Sequence, residues 1–73
     1  QLNEVNIMIL YTIPNCPWCE VLKSRLDSAK LEYKEVNDMK VLKEKKLLSA
    51  PQLELEDGRI LNYQKSIEWL NSR

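Results

Sequence analysis

Both cysteines of the chain lie in the stretch Ile13-Pro14-Asn15-Cys16-Pro17-Trp18-Cys19-Glu20, with two residues between them. The segment that leads into it, Val5 to Tyr11, is a short apolar run rich in Ile, Met and Leu. Such a run is too brief for a helix and reads as a strand buried on both faces, the kind found at the centre of a parallel sheet. Thr12 to Asn15 is a loop broken by Pro14, and Pro17 suits a first helical position, where its missing N–H removes no bond. Past it, Val21, Leu22, Leu26 and Ala29 recur at helical spacing through about Lys30, with Lys23, Arg25 and Lys30 pointing outward. A cysteine pair between a doubly buried strand and a helix start demands layers on both faces of a sheet.

The rest of the chain supplies them. Leu31 to Asn37 alternates apolar and polar residues as a second strand, with Asn37 or Asp38 capping a helix that runs to about Leu48. That helix is expected to bury Val41, Leu42, Leu47 and Leu48, and Ser49-Ala50-Pro51 ends it. Gln52 to Glu56 is a third strand with Leu53 and Leu55 on one face, and Asp57-Gly58 predicts a two-residue hairpin into Arg59 to Leu61. Lys65 to Asn71 closes the chain as a helix with Ile67, Trp69 and Leu70 for packing. Helical crossovers favour parallel pairing and the hairpin adds antiparallel strands, so the expected architecture is α/β: a mixed four-stranded sheet flanked by three helices.

Seventy-three residues suffice for one domain, residues 1–73. Gln1 is no initiator and Met8 directly precedes the first strand, so Gln1 to Asn6 read as a tag remnant or an extension. Net charge is zero, which argues against nucleic acid and anionic membrane partners. The local concentration Lys40, Lys43, Lys45 and Lys46, with Glu44 among them, reads as a solvated helix face rather than a docking patch. No apolar run approaches the roughly 20 residues of a membrane span, and no signal peptide is visible. A cytoplasmic monomer is expected, a setting in which a lone CxxC is more often reactive than structural.

At the N-cap of its helix, the Cys16 sulfur meets unpaired N–H groups and the positive end of the helix dipole. Both favour thiolate, so its pKa is expected below the free value of about 8.5. Cys19, one turn on, can reach Cys16 while being less exposed. That is the arrangement of a nucleophile and a resolving thiol: Cys16 attacks a disulfide, and Cys19 then attacks Cys16 to release the reduced product. With no histidine in the chain and no acid on the first strand, proton traffic falls to water, to Cys16 itself, or to a surface group such as Lys23. The alternatives are weaker. Structural zinc needs four ligands and the pair supplies two. A copper-carrying domain would follow the first helix with two successive strands. A disulfide closing so small a loop stabilises little.

With strand, loop, Cys16-Pro17-Trp18-Cys19 and helix in place, the chain resembles the glutaredoxin family of the thioredoxin fold from about Ile7 to Leu70. The motif is close to that family's Cys-Pro-Tyr-Cys. Ala50-Pro51 matches the proline that the family holds in cis beside its cysteines, and Asp57-Gly58 falls at its hairpin. The resemblance implies a thiol–disulfide oxidoreductase that reduces protein or glutathione mixed disulfides. Cys16 and Cys19 would be catalytic, Ala50 and Pro51 the edge that pairs with substrate, and Pro17 and Trp18 part of the groove. It implies no tightly bound cofactor, with glutathione as co-substrate. Tyr11 and Trp69 are read as packing residues.

The chain also departs from that family. Glutaredoxins commonly carry a Gly-Gly pair and an acidic residue after the fourth strand, receiving the γ-glutamyl end of glutathione. Here Asn62, Tyr63 and Lys65 occupy those positions, and Pro14-Asn15 stand where a basic residue often precedes the first cysteine. These departures suit a second reading, a glutaredoxin-like thioredoxin recharged by a flavoprotein reductase and serving ribonucleotide reductase. A third is a non-catalytic adaptor or an iron–sulfur carrier, against which the second cysteine and the proline after the first both count.

Overall fold

The computed structural model describes residues 7–73. Four strands and three helices follow in the order β1 (Met8–Tyr11), α1 (Pro17–Ser28), β2 (Tyr33–Val36), α2 (Met39–Glu44), β3 (Gln52–Glu54), β4 (Ile60–Leu61) and α3 (Tyr63–Asn71). The sheet order is β2-β1-β3-β4. β1 pairs parallel with β2, antiparallel with β3, and β3 pairs antiparallel with β4. The expected mixed four-stranded sheet with three helices is what forms. Val5 and Asn6, expected in the first strand, lie outside the described residues with the rest of Gln1 to Asn6; Ile7 precedes β1 and is exposed.

Two-residue periodicity sorts the sheet into faces. Leu10 stands opposite Leu53, and Met8, Leu10, Leu53 and Leu55 join Leu22 and Leu26 of α1 in one buried cluster, lined by Ile67, Trp69 and Leu70 of α3. Each fully buried leucine contributes about 2 kcal/mol of transfer free energy. Tyr11 lies on the other face, almost fully buried, its hydroxyl donating to Glu54 Oε1 at 2.7 Å. α2 covers that face with Leu42 buried and Lys45 both 3.7 Å from Glu54 and 5.9 Å above the Tyr11 ring. Burial, then the Glu54 hydrogen bond and charge, hold the Tyr11 phenol well above its ordinary range, so it stays a neutral packing residue.

Helix ends differ from the expected ones for a common reason. α1 stops at Ser28 and α2 at Glu44, each followed by a lysine in the left-handed region: Lys30 at φ 60° and Lys46 at φ 59°. Lys30 N donates to Asp27 O and Leu31 N to Leu26 O at 3.0 and 3.2 Å; Lys46 N and Leu47 N do the same to Lys43 O and Leu42 O at 3.0 and 2.9 Å. These are two Schellman closures. They draw Leu31 out of the second strand, end α2 before Leu48, and leave Leu48 98% exposed rather than buried. Val21 and Ala29 also prove exposed, because Cys19, Leu22 and Leu26 alone form the buried stripe of α1. Replacing Lys30 with glycine should raise unfolding free energy by about 0.5–1 kcal/mol, since only glycine adopts that backbone without a Cβ penalty. A denaturant titration showing a loss would contradict this closure.

The remaining boundaries shift through turn and cap chemistry. Gly58 N donates to Leu55 O at 2.9 Å and Leu55 N to Arg59 O at 2.8 Å, with Gly58 at φ 94°. The loop is therefore the three residues Glu56-Asp57-Gly58, with glycine in the left-handed position, and not the expected two-residue turn. Asp38 rather than Asn37 caps α2, accepting from Lys40 N at 2.9 Å. α3 begins two residues before Lys65 because the Asn62 side chain accepts from Lys65 N at 2.8 Å.

Candidate active site

The strand directions bring the site together at one end of the sheet. The C-terminal ends of β1 and β4 and the N-terminal end of β3 share that end, as the partners Tyr11–Gln52 and Leu53–Leu61 require. The Thr12–Asn15 loop leaves β1 there and delivers Cys16 to the start of α1, while β4 delivers Asn62 and Tyr63 to the start of α3. Asn15 takes a φ of 56°, a left-handed conformation that asparagine tolerates better than most residues.

Cys16 is the N-cap of α1, with extended backbone, and its sulfur accepts from Cys19 N at 3.1 Å. Cys16 and Cys19 are disulfide-bonded, their Cα atoms 5.2 Å apart. Cys19 is 1% exposed, whereas Cys16 is only half-buried and borders a shallow cleft with Asn15, Pro17 and Glu20. One cysteine thus borders the cleft and the other is buried. The N–H that Cys16 accepts in the disulfide remains available to its thiolate after reduction, which favours the charged form.

Pro17 occupies the first helical position. Trp18 is 59% exposed, and its ring stands 4.8 Å from that of Tyr63 at an interplanar angle of 56°. That tilted contact, in the range where aromatic pairs attract, ties the beginning of α1 to the beginning of α3. The Ala50–Pro51 peptide is cis, as the resemblance implied, and not a trans helix stop. Pro51 is buried and directly precedes Gln52, the partner of Tyr11, which sets it at the same sheet end as the cysteine loop.

A polar chain runs beside α1 that motif reading overlooked. The buried Thr12 hydroxyl donates to Glu35 Oε2 at 2.9 Å, and Lys23 Nζ is 3.3 Å from Glu35 Oε1 and from Glu20 Oε2. The hydrogen bonds to Glu20 and then Glu35 raise the Lys23 pKa, so this lysine holds its proton more firmly and is a poor candidate for relaying one. Glu35 reaches this chain of contacts through the parallel pairing of β2 with β1, which sets it beside Leu10 on the α1 face. Among the described residues, no helix is long and apolar enough to cross a membrane.

Comparison with known proteins turns this geometry into an assignment. The Glutaredoxin family model matches residues 8–60. The chain belongs to the glutaredoxin family. A glutaredoxin-like 8.6 kDa protein of the rubredoxin operon of Clostridium pasteurianum, itself uncharacterized, is 31% identical over 64 residues, spanning 78% of this chain and 85% of that one. The crystal structure of a mutant of the thioredoxin-like protein BC3987 superposes with a TM-score of 0.71 at 25% identity, covering 89% of this chain and 95% of that one. The fold is thus thioredoxin-like, and a glutaredoxin-family domain with a bridged Cys16–Cys19 pair supports thiol–disulfide oxidoreductase chemistry. The family match stops at residue 60, before Asn62, Tyr63 and Lys65.

Proposed function

We propose that this protein is a dithiol reductase of protein disulfides, with Cys16 as nucleophile and Cys19 as resolving thiol, recharged by a protein dithiol such as that of a flavoprotein reductase. The Cys16 thiolate attacks one sulfur of the substrate disulfide, forming a mixed disulfide and releasing the other sulfur as a thiolate. Cys19, deprotonated, attacks the Cys16 sulfur, expels the second substrate thiolate and closes the Cys16–Cys19 disulfide. Two electrons pass to the substrate, and the reductase dithiol returns them. Ala50 and Pro51 offer the edge along which an extended substrate lies, and Pro17 and Trp18 form part of the groove wall.

The observation that carries the choice of electron donor is the Tyr63 ring 4.8 Å from Trp18. An aromatic side chain there restricts close approach of a tripeptide to the backbone, Asn62 is engaged as the cap of α3, and the exposed Lys65 repels an amino group. Glutathione as co-substrate is the competing reading, supported by family membership itself. Two coupled assays on one protein disulfide separate them. The expected result is sustained NADPH oxidation with a thioredoxin-reductase-type flavoprotein and little with glutathione plus glutathione reductase. Saturable turnover with glutathione at a comparable kcat/KM would reverse the assignment.

A further inference from the structure

We infer that α2 and the Leu47–Ala50 segment after it form a docking face for an acidic, extended segment of the substrate protein that also carries an apolar side chain. The inference rests on the reading of the site as a protein-disulfide reductase and names the class of substrate it takes. Between Met39 and Pro51 stand four lysines and one glutamate. Lys45 is consumed by its ion pair with Glu54 and its seat above Tyr11. Lys40, Lys43 and Lys46 are exposed, and among the described residues none of the three makes an ion pair. The acid on this stretch is Glu44, exposed beside Lys43, and just before it stands Asp38, whose carboxylate accepts from Lys40 N. The surplus is positive and free to meet a partner.

Position makes this face more than a solvated one. α2 starts from the end of β2, and the segment after it runs into the cis Ala50–Pro51 peptide, so both of its ends lie at the cysteine end of the sheet. Leu48, two residues past Lys46 and two before Ala50, is 98% exposed, and Met39 at the head of α2 is 51% exposed. An exposed apolar side chain that stands, along the chain, between unpaired cations and the Ala50–Pro51 edge suits a partner with acidic residues flanking an apolar one. Such a segment would be steered by charge and anchored by Leu48.

The test uses two short synthetic peptides that share one disulfide and a flanking leucine, one bearing glutamates and the other lysines at the same positions. Bis(2-hydroxyethyl) disulfide serves as a neutral small substrate, and prereduced full-length protein is followed through a single turnover. The acidic peptide should react about 10-fold faster than the basic one at low salt, a difference that collapses near about 0.5 M salt. Lys40→Glu/Lys43→Glu/Lys46→Glu should abolish or invert that preference, and Leu48→Ser should slow the acidic peptide several-fold, both leaving the neutral disulfide unaffected. Equal rates for the two peptides, an unchanged preference in the triple variant, or equal inhibition by an oligonucleotide of the same charge would overturn the inference. Failure of the unaltered protein to reduce even the neutral disulfide would instead sink the reductase reading, and the docking face with it.

Discussion

Cys16→Ser should abolish disulfide reduction to below about one thousandth of the original rate, because a serine hydroxyl is not ionised near neutral pH and cannot form the mixed disulfide. Cys19→Ser should behave differently. Cys19 is buried, so under the proposed roles its loss leaves the first attack by Cys16 intact and removes the step that releases product. The variant should accumulate a stoichiometric Cys16–substrate mixed disulfide, visible as an intact-mass adduct that disappears on adding dithiothreitol. In the same variant, alkylation of Cys16 should follow a pH midpoint below the free-thiol value of about 8.5, since the Cys19 N–H and the start of α1 face its sulfur. Normal turnover by Cys16→Ser would exclude the proposed chemistry, and trapping at Cys19 in place of Cys16 would invert the two roles.

The second large effect is a gain of function. Asn62→Gly/Tyr63→Gly/Lys65→Asp should raise glutathione-dependent kcat/KM by about 10- to 100-fold. Removing the Tyr63 ring opens the backbone beside Trp18, and exchanging Lys65 for a carboxylate converts repulsion of an amino group into a charged hydrogen bond. Such a bond contributes about 1.5–3 kcal/mol, or roughly one to two factors of ten. The fold bears some of the cost: Asn62 caps α3 and Tyr63 packs against the core, so the melting temperature should fall. For that reason kcat/KM with dithiothreitol as reductant is the control. An unchanged dithiothreitol rate together with no gain in glutathione use would show that these positions do not govern the choice of donor.

Much of the site was legible because it is local. Cys16, Pro17, Trp18 and Cys19 are consecutive, and a strand, a loop and a helix start follow from their immediate neighbours. Pro51 was legible through its place before a strand. Tyr63 could be flagged as a departure, but its partnership with Trp18 joins residues 18 and 63, and no periodicity reports a contact of that kind. Glu35 escaped notice for the same reason. Its alternation in β2 was clear, yet its role depends on parallel pairing beside β1, which brings it to Thr12 and Lys23.

Local patterning determined which elements form, their order, and which residues could exchange disulfides, because apolar period, proline placement and cysteine spacing act over a few neighbouring bonds. Only the tertiary structure decided where α1 and α2 end, since Leu31 and Leu47 close their Schellman turns by backbone bonds to Leu26 and Leu42. It also decided which leucines are buried and which one, Leu48, stands in water. The surroundings of the Cys16 sulfur belong to the fold as well. Burial, ion pairing and aromatic contact depend on distances between residues far apart in the chain, and the chain encodes those distances only once the sheet has set its register.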